Sequence, residues 1–381
     1  MRIAGDWIGA TGTQAVLAML TDAGYQGWLV GGCVRDGLLG RAVADVDIAT
    51  DARPQTVMAL AEAKGFRAVP TGIAHGTVTV VAEGAPYEVT TFRRDTKTDG
   101  RRAVVAFSDR LEEDAARRDF TMNALYADAA GKVTDPVGGL ADLKARRIRF
   151  VGVAEERVRE DYLRILRFFR FQAWFGDPET GMDPEALAAI AVNAEGIDTL
   201  SRERIGHEMR RLLAASDPAP ALAAMVATGV LARALPGADP RLIAPLVDLE
   251  GGEEAAPRWL RRLAALGARD ATQALRLSRA EGRDLDLIRQ AVAGAQGAAE
   301  LGYRHGPEIA RDALLIRAAS GLPQPSGWEG EVSKGAAAVF PVRAADLMPR
   351  QSGPELGRKL AELEARWIAS GFSLSREQLL A

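Results

Sequence analysis

The sequence predicts an α/β head followed by a long helical arm, and three observations carry that reading. Over the first 150 or so residues, runs rich in valine, threonine and isoleucine alternate with helical runs. Beyond that point strand signals vanish. Ala/Leu/Arg/Glu-rich patterns then continue to the C-terminus, broken at Gly176-Asp177-Pro178, Asp217-Pro218, Pro236-Gly237 and Leu322-Pro323-Gln324-Pro325. Finally, 381 residues exceed one typical domain, so two to four compact units are expected. No internal repeat or low-complexity tract is seen.

In order along the chain, residues 13–23 suggest a helix, and YQGWLVGG (25–32) a short buried strand entering a Gly-Gly turn. VRDGLLG reads as a helix ended by Gly40, and VADVDIAT (43–50) as a strand by its alternation. Asp51 is placed as the N-cap of a helix reaching about Lys64, with Pro54 tolerated in its first turn. GTVTVVA (76–82) and YEVTTF (87–92) form a hairpin through a Glu83-Gly84-Ala85-Pro86 link, and RRDTKTDGRR (93–102) is expected to be an exposed loop.

Composition narrows the function. Hydrophobic residues at 48% and charged residues at 26% are ordinary for a globular protein. No stretch approaches the roughly 18 apolar residues of a membrane helix, and the N-terminus lacks a signal-peptide pattern. One cysteine, Cys33, excludes an internal disulfide framework and fits a reducing cytoplasm. The formal charge of −3 argues mildly against nucleic-acid binding. Residues 144–170, however, hold nine Lys and Arg against four Asp and Glu. Such a basic stripe suits a phosphate-rich partner; a solvated helix face is the alternative.

The residues that carry chemistry begin with Asp45 and Asp47. Two apart on a predicted strand, their carboxylates point to one face and suit Mg²⁺, whose hard oxygen ligands can clamp a reacting phosphorus. Just upstream, Gly31 and Gly32 allow close backbone approach, the following helix offers free N–H groups to phosphates, and Arg35 adds a charge-assisted contact. Glu88, on the YEVTTF strand, supplies either a third carboxylate beside the pair or an exposed edge charge. In RRDFTMNAL (117–125), Arg118 and Asn123 suit ribose hydroxyls and phosphate oxygens, unless Asp119 or Thr121 simply caps a helix.

EDYLRILRFFRF (160–171) reads as a largely buried helix in which Arg164, Arg167 and Arg170 recur every third residue, three after Asp161. Buried charge is costly unless paired. At 100° per residue Asp161 and Arg164 are neighbours, whereas Arg170 lies nearly opposite. Asp161 with Arg164 then makes either a donor/acceptor edge for a base or a structural ion-pair network. His75, His207 and His305 lack metal-ligand spacing, which disfavours zinc chemistry. Cys33 reads as a small apolar filler.

GGCVRDGLLGRAVADVDIAT, GIAHGTVTV, EVTTFRRD, EEDAARRDFTMNALYAD, DPVGGLADL, REDYLRILRFFRF and SRERIGHEMRRLL occur in that order between residue 30 and about 213. Together they resemble the bacterial class II CCA-adding tRNA nucleotidyltransferase and poly(A) polymerase family. The resemblance implies an α+β nucleotidyltransferase head, a mixed sheet with helices, over 1–143. An all-α neck with a nucleotide-selecting template (144–215) and a tRNA-binding body and tail (216–381) would follow. It further implies Mg²⁺ on Asp45 and Asp47 with Glu88 in support. Gly31, Gly32 and Arg35 would hold the triphosphate of CTP or ATP, with Arg118 and Asn123 near the sugar and phosphates. A protein template of Asp161, Arg164 and Arg167, with Arg170 as a further nucleotide contact, would select the base. Tyr162 departs from the family's usual proline and alters the helix start.

Members of this family add CCA, CC, A or poly(A). The charged 93–106 segment and the DLMPRQSGPELGRKLAELEARWI stretch (346–368) are similar to CCA-adding members. The expected partners are tRNA, CTP and ATP, with no membrane and no inferable protein partner. An inactive RNA-binding scaffold is disfavoured because both aspartates are present.

Overall fold

The computed structural model describes residues 1–98, 103–348 and 351–381. The chain forms two compact units, Met1–Glu208 with Pro220–Ala234, and Met209–Ala219 with Leu235–Ala381.

The first unit carries the nine strands of the described residues: β1 (Trp28–Val30), β2 (Asp47–Thr50), β3 (Arg67–Gly72), β4 (Thr77–Ala82), β5 (Ala85–Thr91), β6 (Arg93–Thr98), β7 (Ala103–Phe107), β8 (Tyr126–Ala127) and β9 (Val133–Thr134). Seven make one sheet in the order β3-β4-β5-β2-β1-β8-β9, and β6 and β7 pair separately. The sheet is mixed, because β2 runs parallel to β5 while every other pairing is antiparallel. The Thr11–Thr21 and Pro54–Ala63 helices pack on each other and on β4. Val30, Ala49, Phe92, Leu111, Ala115, Ala124, Tyr126 and Val151 form one buried cluster beneath the sheet.

Several local expectations are corrected. Strand β2 starts at Asp47, leaving Asp45 outside it. Its neighbour β1 ends at Val30, where Gly31 turns the chain with φ 75°, so residues before Asp47 lose that partner. Ala82 pairs with Ala85, so the β4–β5 link is only Glu83-Gly84, both at positive φ as a tight hairpin requires. Asp51 caps no helix: Arg53 occupies the N-cap position, and Asp51 instead accepts a bond from the Gln26 backbone N–H at 2.8 Å. The charged 93–102 stretch is not all loop. Residues 93–98 pair with 103–107, the β-prone AVVAF supplying a partner that a charged strand lacks by itself; 99–102 lie outside the described residues.

The 160–171 segment is also not one helix. A first helix ends at Glu160, Asp161 is extended at φ −152°, and a second runs from Leu163 to Phe175. Phe168 and Phe171 of this second helix stack into the head, with Phe120–Phe171 centroids 5.0 Å apart and Phe150–Phe168 5.8 Å.

The second unit is helical throughout its described residues. Its interior holds a charged network. Arg261 bonds Glu250 and Asp312 at 2.7 Å each, while Arg262 bonds Glu250 at 2.7 Å and the Leu213 carbonyl at 2.7 Å. Arg258 also reaches Asp312. A separate apolar cluster gathers Val342, Leu363, Trp367 and Leu379 near the C-terminus. Among the described residues no helix is long and apolar enough to cross a membrane.

Asp312 is fully buried and pairs with Arg258 and Arg261, so deleting its carboxylate leaves the buried Arg261 with Glu250 alone. Asp312→Ala should cost about 3–5 kcal/mol. Breaking the exposed Lys359–Glu362 pair with Lys359→Ala should cost at most about 0.5 kcal/mol. Urea unfolding of both variants checks the contrast, and equal effects would contradict it.

Candidate active site

The carboxylates come from the one parallel strand pair. In the β2–β5 register Asp47 stands opposite Glu88, placing both on one face at adjacent-strand spacing. Asp45, exposed and two residues upstream, is still close enough for its charge to act on Asp47. Burial, then Glu88 and Asp45, push the Asp47 carboxyl up from 3.8 to about 6, against a lowering by Arg118. Such crowding of negative charge is what a divalent cation relieves, so these residues fit one. Among the described residues no three His, Cys, Asp or Glu form a ready-made metal cage.

Next to the carboxylates lies the start of the Gly32–Leu38 helix. Gly31, its N-cap residue, adopts φ 75°, a conformation that favours glycine. A side chain there would also crowd the Arg118 guanidinium, since its Cβ would lie 3.3 Å from Nη1. Arg35, on this helix, donates to the Asn123 side-chain oxygen at 2.7 Å and to both Asp36 oxygens at 2.9 Å. Its guanidinium lies 4.2 Å from the Phe175 ring centroid, so the cation is oriented from three sides. Cys33, on the same helix, is buried with its thiol facing the Val30 and Asp47 backbone carbonyls, and burial pushes its ionisation up to about 11.

Arg118 is held by Asp114 and Tyr126. Its Nη2 donates to Asp114 at 3.1 Å and its Nε to the Tyr126 oxygen at 3.1 Å, while the Tyr126 hydroxyl donates to Asp114 at 2.8 Å. Asn123 in turn donates to Asp119 at 3.0 Å, and Asp119 accepts from Arg167 Nε at 2.7 Å. Arg35, Asn123, Asp119 and Arg167 thus form one continuous bonded chain from the glycine turn to the Leu163–Phe175 helix.

The neighbouring predicted residues are placed differently from the helical-wheel expectation. Asp161 does not pair with Arg164, because it sits in the break before the helix. It accepts instead from Arg204 at 2.8 and 3.0 Å. Arg164 pairs with Glu160 at 2.7 Å and donates to the Arg117 carbonyl at 3.0 Å. Arg170 faces the interior, bonded to Glu208 at 2.6 Å. The basic stripe is largely neutralised by its own pairs: Arg149, Arg157, Arg159, Arg164, Arg167 and Arg170 each have a carboxylate partner, whereas Lys144, Arg146 and Arg147 are exposed and have none among the described residues. Asp119 and Thr121 cap no helix, Asp119 serving Arg167 and Asn123, and Thr121 donating to Asp142 at 2.6 Å.

Sequence reasoning missed the holders Asp114, Tyr126, Asp119, Glu160, Arg204 and Glu208. A signal existed for two of them. Asp114 precedes Arg117 and Arg118 by three and four residues, and Glu160 precedes Arg164 by four, the spacings at which helical side chains meet.

Residues 27–149 match the poly A polymerase head domain, and residues 181–242 match a probable RNA and SrmB-binding site of polymerase A. The chain belongs to the family of poly A polymerases and CCA-adding enzymes. It is 32% identical over 372 residues to the mitochondrial CCA tRNA nucleotidyltransferase 1 of Danio rerio, covering 93% of this chain and 86% of that protein. It is 44% identical over 224 residues to the CCA-adding enzyme of Geobacillus kaustophilus, 58% of this chain and 54% of the relative. The chain thus spans about half the length of the bacterial relatives it matches. The crystal structure of the Bacillus stearothermophilus CCA-adding enzyme in complex with CTP superposes with a TM-score of 0.76 at 33% identity, covering 94% of this chain and 92% of that one.

The Asp119 carboxyl titrates unusually low. Burial raises it, but the Arg167 charge and bonds from Asn123, Arg167 and the Phe120 N–H hold it at about 2 against an ordinary 3.8. A lowered acid contributes stability that is present above its unfolded value and lost as pH falls toward its folded value. Asp119→Asn should therefore lose about 2 kcal/mol at neutral pH and show a shallower decline between about pH 4 and 2. Acid unfolding curves check this; a variant as acid-sensitive as the parent would contradict it.

Proposed function

We propose that the chain adds CMP and AMP, from CTP and ATP, to the 3′ end of tRNA. The 3′-oxygen attacks the α-phosphorus, the new phosphodiester forms, the α–β bond breaks and pyrophosphate leaves. The observation that carries this reading is the crowded pair Asp47 and Glu88, directly beside the glycine turn and its two oriented arginines. The similarity to CCA-adding relatives supports the choice of reaction within the family.

In this reading Asp45 and Asp47 hold Mg²⁺, with Glu88 in support. Bound there, the ion neutralises phosphate charge and polarises the reacting phosphoryl group. Gly31 and Gly32 admit the triphosphate to the helix N-terminus, and Arg35 and Arg118 meet its oxygens. Asn123 serves the ribose. Asp161, Arg164 and Arg167 select the base, and Arg170 supports them from the interior. Residues 1–143 act as head and 144–215 as neck, while 216–381 act as the body and tail that grip tRNA. We place the activity in the cytoplasm, consistent with a single reduced cysteine.

Three outcomes test this. Asp45→Ala and Asp47→Ala should abolish nucleotide incorporation with an unchanged circular dichroism spectrum, because these charges serve only the loaded site; turnover within about tenfold of the parent would reject the assignment. Arg164→Ala should reduce discrimination among nucleotides by about ten- to a hundredfold, whereas Arg35→Ala should weaken all of them alike. Equal losses in both variants would return Arg164 to a structural role. Given CTP and ATP, the chain should extend tRNA lacking its 3′ end by three residues and stop. Sequenced products with long adenylate tails on arbitrary RNA would identify a poly(A) polymerase instead.

A further inference from the structure

We propose that Asp114 and Tyr126 are positioning residues for nucleotide binding, fixing the Arg118 guanidinium against the Gly31 turn. The inference rests on the nucleotidyltransferase reading above and concerns two residues that touch neither the turn nor the carboxylates through a bond of their own.

Asp114 is only 1% exposed on the Leu111–Ala116 helix, and Tyr126, on β8, is fully buried. A buried carboxylate is costly unless every lone pair is used. Asp114 accepts Arg117 Nε at 2.8 Å, Arg118 Nη2 at 3.1 Å and the Tyr126 hydroxyl at 2.8 Å. Burial raises its carboxyl, yet the charges of Arg118 and Arg117 and the Tyr126 bond hold it below the ordinary value, so it stays ionised. Tyr126 closes the circuit, its hydroxyl donating to Asp114 while its oxygen accepts Arg118 Nε at 3.1 Å. With Nε and Nη2 committed inward, the planar guanidinium has one remaining edge, and Nη1 is directed at the Asn123 carbonyl (3.4 Å) and the Gly31 turn.

The strand register explains why a tyrosine serves. Tyr126 pairs with Val30, the last residue of β1 before Gly31. The ring that orients Arg118 is thus tied to the strand that delivers the turn, and cation and turn keep one spacing. Arginine has long, flexible torsions whose ordering costs free energy on binding. Two bonds made before the nucleotide arrives remove that cost in advance. The expected signature is weaker binding of every nucleotide with little change in chemistry once the nucleotide is bound.

The test uses the full chain with trimmed tRNA. Tyr126→Phe keeps the ring and removes both bonds of the hydroxyl. It should raise KM for CTP and ATP alike by about three- to tenfold, with kcat within about twofold of the parent. Asp114→Asn should shift KM in the same direction and further. Because the tyrosine acts through Arg118, Tyr126→Phe combined with Arg118→Lys should be no worse than Arg118→Lys alone. Unchanged KM in Tyr126→Phe, a fall in kcat without a rise in KM, or additive losses in the double variant would overturn the proposal. These results are separable from failure of the functional reading, which would show as a parent chain that incorporates no nucleotide.

Discussion

The ion pair between Asp119 and Arg167 is the contact on which the arrangement of the site depends. Asp119 belongs to the segment that also bears Arg118 and Asn123, and Arg167 lies on the helix that also bears Arg164. Packing of Phe120 and Phe150 against Phe168 and Phe171 brings the two together through non-directional contact. Rings tolerate sliding; a charge-assisted bond of 2.7 Å does not. The apolar layer therefore supplies adhesion and the ion pair supplies register. Asp119 passes that register on through Asn123 to Arg35.

The carboxylate corner works in the opposite sense. Asp47 is placed beside Glu88, with Asp45 near, and the Arg118 charge offsets part of the repulsion. The β2–β5 register makes this possible, because residues opposite one another on adjacent strands share a face. The fold thus maintains an unfavourable charge cluster at one strand end, where stability and the capacity to accept a cation pull against each other.

Much of this was legible in the sequence. The Gly-Gly turn, the D-x-D spacing, the β4–β5 hairpin and the change to an all-helical chain all depend on local chemistry, which a single sequence displays. What was not legible depends on distant partners. Asp45 and Asp47 alternate as a strand should, yet β2 begins only at Asp47, because the chain has already turned away at Gly31. The helical wheel paired Asp161 with Arg164, but Arg204, 43 residues away in sequence, claims Asp161. Arg170 was set apart from Asp161 by periodicity, and the structure gives its inward face a partner in Glu208. Periodicity states which way a side chain points, not which distant residue will be there to meet it.

Cys33 carries a practical consequence for anyone wishing to watch this protein move. It is the single thiol of the chain, buried beneath the glycine turn, with burial pushing its ionisation up to about 11. Reagents that alkylate or crosslink sulfur act on the thiolate, and at neutral pH almost none is present here. The 2% exposure and raised ionisation of Cys33 both disfavour attack by such reagents. One cysteine engineered onto an exposed helix would be a uniquely addressable handle for a dye or spin probe, with no need to disturb the native residue.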